Sequence, residues 1–543
     1  MIDSNSPGDK NNNQIFPPWV TSSEQPVKPK QTPSVQQQDK SVPIENGSKQ
    51  ADLPVIPEAN PVPPSSIPSI SPDVPKEEEL AAPGVPNEAD FVKESPFKRL
   101  IPILGVLLII GLLIFLGIKI FPKLTIKSEE GGSSTTPTST KTSKKPVTLK
   151  YWGLWEPESI TTQLIAEYKK ENPEVTIEYS QQSPKDYRER LQSALARGEG
   201  PDVFRFHNSW VPMLKKELAP APTDINSAIN LSVNFFPIIA KELTLNNQAL
   251  GVPIGFDSLM LFYNTKIFNQ AGKTPPDTWE ELRKTAIDLT VKDVDGRIQT
   301  AGVALGTTNN IDHWSDIFGL MMIQNGVDLN QPNSETAQDA LKFYTIFKTT
   351  DKVWDETLPP SVYAFATEKV AMIFAPSWQA HEIRKIDPKL DFKTLPVPQL
   401  PGQKVGWATY WAEGVWSKSD NQKEAWKFLQ FLSKKETLIS FYNAASQRRQ
   451  FGEPYPRLDL VSQLEQDPIV GAAVKQGSYA KSWYLCSRTW DNGINDKIIK
   501  YFEDAVNGFL QGETAVDVLS IAASGVSQVL SQYGVGTAQT TTP

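Results

Sequence analysis

Residues 100–122, LIPILGVLLIIGLLIFLGIKIFP, constrain this chain more than any other stretch. The run is apolar for about 20 residues, the length an α-helix needs to cross a bilayer. A core helix would carry a polar face, and this run has none before Lys119. That lysine lies near the end, where its stem can reach the interface. The run begins about a hundred residues into the chain and has no small-residue cleavage site, so it is not a signal peptide. It reads as one uncleaved transmembrane helix that divides the chain in two. Lys93, Lys98 and Arg99 flank one end, and Lys119, Lys123 and Lys127 the other. The flanking charges therefore do not set the orientation.

The two sides differ in kind. Residues 1–97 hold 18 of the 45 prolines, with many Ser, Gln and Asn and no apolar period. Such a segment cannot bury enough apolar surface to offset chain entropy, and it is expected to be a disordered tail. Residues 123–146 form a Ser/Thr/Gly-rich flexible linker. Almost 390 residues follow, 147–532, with the patterning of a folded domain.

Composition excludes several classes. The net charge is -8 and no basic stripe is present, which argues against nucleic acid. A single cysteine, Cys486, rules out an intrachain disulfide and a cysteine-rich metal site. Three histidines, His207, His313 and His381, are too scattered for zinc. No metal and no cofactor are expected. The chain has 14 tryptophans, whose stiff, amphipathic rings suit stacking on flat ligands.

The folded region opens by alternating strands and helices. VTLKYWGLW (147–155), VTIEYS (175–180) and PDVFRF (201–206) are β-branched and aromatic, hence strands. Between them, 159–173 places Ile160, Leu164, Ile165 and Tyr168 on one helical face, and 185–198 groups Tyr187, Leu191, Ala194 and Leu195 before Gly198. This alternation predicts a mostly parallel α/β sheet, with ligands at the carboxyl ends of its strands. Trp155 and the HNSW stretch, 207–210, fall at such ends.

Further on, 251–264 reads as a strand, and TWEELRKTAIDL (278–289) begins with a capping box, Thr278 with Glu281. Asp295-Gly296 reads as a turn between strands; its likeness to a calcium loop lacks the closing Glu. Helices are predicted over 335–348, 422–433 and 495–511.

Taken in order, LKYWGLW, VTIEY, DYRERLQSALARGEGPDVF, GVPIGFDSLMLFYNTKIFNQAG, TWEEL, AFATEKVAMIFAPSW, FKTLPVPQLPG and AWKFLQFLSKKET resemble the extracellular solute-binding proteins of family 1. These are the sugar-binding components of ABC importers, the maltose-binding protein among them. The resemblance implies a two-lobed α/β clamshell of the type II periplasmic-binding-protein kind, with several hinge crossings. Lobe one would hold about 147–255 and 400–450, and lobe two about 256–395 and 455–532. It implies no catalytic residue, a carbohydrate as ligand, permease subunits of an importer as partners, and a monomer. It also places the tail in the cytoplasm and the clamshell outside the cell.

By the same resemblance, Asp257 sits where a carboxylate reaches a ligand hydroxyl, and Trp378 where an aromatic stacks on a sugar ring. Asn208, Ser209 and Trp210 occupy a ligand-contact loop. Trp155 and Glu156 follow the first strand. In 406–416, Trp407, Tyr410, Trp411 and Glu413 are candidates to project into the cleft, and Trp490 to close its far end. Trp152 and Trp279 read as packing, His207 and His313 as satisfied by local hydrogen bonds, and Cys486 as a small hydrophobe. Lys and Arg are scarce in these segments, which argues against an anionic ligand. Two alternatives remain open: a glycoside hydrolase with Asp257 and Glu413 as its carboxylate pair, or a sensor or adhesin that feeds no importer.

Overall fold

The computed structural model describes residues 145–402 and 404–536. The 1–97 tail, the 100–122 run and nearly all of the 123–146 linker lie outside the described residues. Among the described residues no helix is long and apolar enough to cross a membrane.

The first sheet grows from the predicted alternation. Val147–Gly153 pairs in parallel with Val175–Gln181 on one side and with Val203–His207 on the other. Trp411–Val415 then adds antiparallel to Val203–His207, completing a four-stranded sheet. Helix Glu158–Glu171 buries Ile160, Thr161, Leu164 and Tyr168 and leaves Ile165 half-buried. Helix Tyr187–Arg197 buries the four residues expected and stops at Gly198, whose φ of 77° an L side chain adopts only with strain. Helix Gln422–Leu432, from much later in the chain, also covers this sheet, and helix Lys435–Ser446 packs on helix Glu158–Glu171.

The second sheet has five strands, in the order Phe392–Leu395, Met260–Asn264, Val370–Ala375, Ile298–Val303, Val291–Lys292. It is mostly antiparallel, unlike the first; only Val370–Ala375 with Ile298–Val303 runs parallel. The Asp295-Gly296 turn is present, with Gly296 at φ 80°. The Asp293 carboxylate accepts from the backbone N–H groups of Asp295 and Arg297, so a turn uses the oxygens a calcium loop would need. Both halves of the Thr278–Glu281 capping box form at the start of helix Trp279–Leu289. Helices Trp314–Gln324 and Glu335–Thr349 pack with the C-terminal pair Ile494–Leu510 and Ala515–Gln532.

A small three-stranded sheet joins the lobes: Ala480–Lys481, Gly406–Thr409 and Asp257–Ser258. One residue past Thr409 the chain enters the first sheet; one residue past Ser258 it enters the second. Tyr410 and Leu259 are therefore crossing points. The stretch 251–264 is not one strand. Pro253 has no N–H to give to a ladder, and Val252 makes only an isolated bridge to Glu413.

Trp407 does not project into the cleft. Its ring is fully buried against Gly319 of helix Trp314–Gln324, where an added Cβ would lie 2.6 Å from the ring. Its Nε1 donates to Asp316 Oδ1 at 2.9 Å. Trp279 is core, packed on Phe374, as expected from its place in the first helical turn.

Candidate ligand-binding cleft

A cleft of about 300 Å³ lies between the sheets at the carboxyl end of the first one. The first lobe supplies Trp155, Glu156, Arg205, His207 and Trp411. The hinge supplies Gly255, Phe256, Asp257, Thr409 and Tyr410, and the second lobe His313, Asp316, Trp378 and His381. Arg449 and Glu453 close one side. Ser487, Arg488 and Trp490 close another, on a segment where Arg488, Trp490 and Asn492 all have positive φ.

Aromatic rings from separate elements line this space. Trp155 meets Trp411 edge-on at 5.7 Å and Trp490 at 5.8 Å. Trp378, on the opposite lobe, is held edge-on by His313 at 5.7 Å. Trp490 keeps 39 % of its surface exposed, in a protein whose other large aromatics are mostly buried.

Beneath the first-lobe wall lies a buried ion triad. Arg205 Nη1 bonds Glu156 Oε2 at 2.5 Å. Arg205 Nε and Nη2 both bond Glu413 Oε1, at 2.9 and 2.6 Å. Tyr151 OH donates to the same Glu413 oxygen at 2.9 Å. Burial pushes the Glu413 carboxyl above its usual range, against the pull of Arg205. Buried charges persist only when paired in this way. Glu413 is fully buried and faces Arg205, not the cleft, because it lies directly opposite Arg205 in the strand register. The Asp257/Glu413 pair considered for hydrolysis therefore does not share the cavity.

The HNSW stretch also departs from expectation. After His207 the chain tightens into a 3-10 turn, Asn208–Trp210, which turns all three side chains away from the cleft. Asn208 Nδ2 donates to Glu242 and Ser482, and its Oδ1 accepts from Tyr410 N, so it fastens the hinge crossing. Ser209 Oγ lies 2.7 Å from His207 Nδ1 and accepts from Asn495. Trp210 is 1 % exposed and stacks on Tyr187. Of the stretch, only His207 lines the cavity. Its ring is bonded to Ser209 and Thr409, and burial lowers its pKa to about 3, so it is neutral.

Six of the ten candidates thus share the cavity wall: Trp155, Glu156, Asp257, Trp378, Tyr410 and Trp411. Asn208, Ser209, Trp210 and Glu413 do not. Asp257 is on the wall, but its carboxylate is already engaged. Oδ1 accepts from Ser258 N and Ser377 N at 2.8 and 3.0 Å; Oδ2 accepts from Ser377 N and Oγ at 2.9 and 2.7 Å. Burial nevertheless raises its pKa to about 7. Tyr410 donates its hydroxyl to Glu242 at 2.7 Å.

Several wall residues carried no sequence signal: His381, stacked on Phe451 at 4.1 Å; Arg449, paired with Glu453; and Arg488, paired with Asp312. Arg205 did carry one. It is the lone charge in the otherwise apolar strand run VFRFH, and a buried charge demands partners. The scarcity of cations inferred from the cleft segments is not what the wall shows, since Arg205, Lys385, Arg449 and Arg488 all line it. The three arginines are paired with carboxylates. Among the described residues no cluster of His, Cys, Asp or Glu is placed to hold a metal ion.

A bilobed α/β fold with a hinge sheet and an aromatic inter-lobe cleft defines a solute-binding protein of the periplasmic type. The family model of the bacterial extracellular solute-binding proteins matches residues 163–449, more than half of the chain, and the chain belongs to that family. It is 23% identical over 320 residues to the multiple sugar-binding protein of Streptococcus mutans, covering 55% of this chain and 73% of that one. In fold it is similar to the sugar-binding protein MalE of Xanthomonas citri, with a TM-score of 0.60 and 19% identity over 71% of this chain and 98% of that one. A cyclo/maltodextrin-binding protein complexed with maltotetraose superimposes with a TM-score of 0.59 and 20% identity over 72% of this chain and 99% of that one.

Proposed function

We propose that this chain is a membrane-tethered extracellular binding protein that captures a mono- or oligosaccharide in its inter-lobe cleft and delivers it to an ABC importer. The observation that carries the reading is the pairing of aromatic walls. Trp155, Trp411 and Trp490 stand on one side and Trp378 on the other, with carboxylate and guanidinium groups at the margin. A sugar ring presents apolar C–H faces to aromatic rings and hydroxyls to a few fixed polar groups, the mixture a ligand pocket of this kind offers. Trp155, Glu156, Trp378, Tyr410 and Trp411 are the contacts proposed. Asp257 acts from behind them, through Ser377. The 100–122 run supplies the tether, and closure of the lobes would add second-lobe contacts to a ligand first held by one lobe.

Intrinsic tryptophan fluorescence of the full-length chain, titrated with maltotetraose, mannobiose and tagatose, tests the reading. A saturable change with at least one of them is expected. No response to any sugar, with a response to a peptide or an anion, would sink it.

A further inference from the structure

The segment between hinge strand Ala480–Lys481 and helix Ile494–Leu510 is fastened to both lobes. The second lobe holds its start. Ser487 N donates to Asp316 Oδ2 at 3.1 Å, and Ser487 Oγ lies 2.8 Å from His313 Nδ1. Arg488 pairs with Asp312 Oδ1, and Asp312 Oδ2 is itself fixed, accepting from Ser361 Oγ and Val362 N at 3.0 Å. Further along, the first lobe takes hold. Arg188, at the start of helix Tyr187–Arg197, donates from Nε to the Asp491 carbonyl. Its Nη1 and Nη2 are set by Gln192 and Glu189 of its own helix, and only 11 % of its side chain is exposed. Trp490 meets Trp155 at 5.8 Å. Gly493 lies so near Met213 that an added Cβ would sit 2.6 Å from the sulfur. Between the two sets of anchors the backbone is strained. Arg488, Trp490 and Asn492 have φ of 60°, 47° and 43°. Asparagine tolerates this left-handed region; arginine and tryptophan enter it only at a cost. Thr489, between them, is buried with its hydroxyl unpartnered among the described residues. Backbone of this kind persists only where its surroundings over-determine it, and here anchors on both lobes do so.

We propose that residues 487–493 are a strained latch between the lobes, anchored on the second lobe through Asp312 and clasped to the first by Arg188, and that it sets the ratio of closed to open protein before any ligand arrives. The inference rests on the hinged, two-lobed reading and is independent of which ligand fills the cleft. Two opposed effects make the segment a latch rather than a fixed strut. The left-handed residues favour release, because a freed segment can relax. The Arg188 guanidinium on the Asp491 carbonyl opposes release, as a hydrogen bond from a charged donor is among the stronger ones. Effects that nearly balance leave both states populated and easily shifted. A ligand that binds only the closed form has its apparent affinity lowered by the closed fraction. Arg188 and Asp312 are not on the cleft wall, so they act as positioning residues that tune affinity without touching the ligand.

The test measures the distance between the lobes in the ligand-free, full-length chain. Lys170→Cys on helix Glu158–Glu171 and Lys284→Cys on helix Trp279–Leu289 are exposed positions that take spin labels. The native Cys486 is fully buried and stays unlabelled. Pulsed electron paramagnetic resonance then gives the distribution of near and far lobe pairs. In this background Arg188→Met, which keeps the apolar stem and loses the donor, should lower the near-to-far ratio by about tenfold. Asp312→Asn, which loses the ion pair with Arg488 and can still accept from Ser361 and Val362, should move the ratio the same way by less. An unchanged distribution in folded Arg188→Met overturns the latch. So does a lowered melting temperature with unchanged distances, since that is the mark of a purely structural role. Should Arg188→Met not fold, Asp312→Asn decides in its place by the same criterion. No sugar is present in the measurement, so a chain that binds no sugar would lose the carbohydrate reading and keep the latch.

Discussion

Asp257 holds Ser377 by three hydrogen bonds, to its backbone N–H from both carboxylate oxygens and to its hydroxyl. Asp257 is on the hinge sheet, and Ser377 immediately precedes Trp378 and the helix Gln379–Ile386. That helix carries His381 and Lys385 onto the cleft wall as well. The aspartate therefore places a wall of the site and has little acceptor capacity left for a ligand.

Burial of the same carboxylate, opposed by its hydrogen bonds from Ser377, makes stability depend on pH. Burial raises the Asp257 pKa to about 7, above the value of about 3.9 for an unfolded chain. A raised folded pKa favours folding most below the unfolded value and loses that contribution as pH rises towards the folded one. Asp257→Asn removes this loss. Relative to the wild type, the variant should gain stability between about pH 4 and pH 7, by at most about 1.4 kcal/mol per pH unit. Urea unfolding of both proteins at pH 4.5, 5.5 and 6.5 measures it; parallel curves across that range would refute the assignment.

Trp378 and Trp210 separate binding from packing. Trp378 lines the cleft and is only partly buried, whereas Trp210 is 1 % exposed and stacked on Tyr187. Trp378→Ala should weaken sugar binding by about tenfold, equivalent to about 1.4 kcal/mol, with little change in melting temperature. Trp210→Ala should cost about 3–5 kcal/mol of stability. What remains folded should lose less affinity than Trp378→Ala, since Trp210 reaches the site only through its edge-on contact with Trp411 at 5.1 Å. Calorimetric titration and thermal melts on both variants would show the two effects falling on opposite residues.

The reasons for the contrast show how far the sequence reached. Periodicity located the helices and the parallel part of the first sheet, because those patterns report burial on one face. Strand order placed Trp155 at a strand end, and the family resemblance placed Trp378 on the cleft. The failures came where one residue of backbone geometry decides direction. A 3-10 turn after His207 sends Asn208, Ser209 and Trp210 inward, and nothing in HNSW distinguishes that from an open loop. Glu413 was misplaced because its partner Arg205 lies 208 residues away and reaches it through strand register. Arg449 and His381 join the wall only through tertiary packing.

Arg205 binds two buried carboxylates at once, so its removal should be worse than removal of either partner. Arg205→Met would leave Glu156 and Glu413 unpaired and facing one another, whereas Glu413→Gln leaves the Glu156 pair intact. Breaking a buried ion pair by losing one member costs about 3–5 kcal/mol. Arg205→Met is expected at or beyond the upper end of that range. Glu413→Gln should be much milder, since its amide can still accept from Arg205. Chemical denaturation at pH 7 would settle the order, and equal losses for the two variants would mean that the triad is not a unit.

Gly319 and Trp407 supply a case in which two ordinary rules oppose each other. In the middle of a helix, Gly→Ala normally stabilises by about 1 kcal/mol. At Gly319 the new methyl would sit 2.6 Å from the buried Trp407 ring. That ring is fixed, since its Nε1 is bonded to Asp316 and its strand is part of the hinge sheet. Overpacking of a tight core costs about 1–3 kcal/mol, which outweighs the helical gain. Gly319→Ala should therefore lower the melting temperature. The strain passes through Trp407 to the strand leading to Tyr410, so sugar affinity should fall with it. A rise in melting temperature would show that the ring can move and that the hinge is softer than its packing indicates.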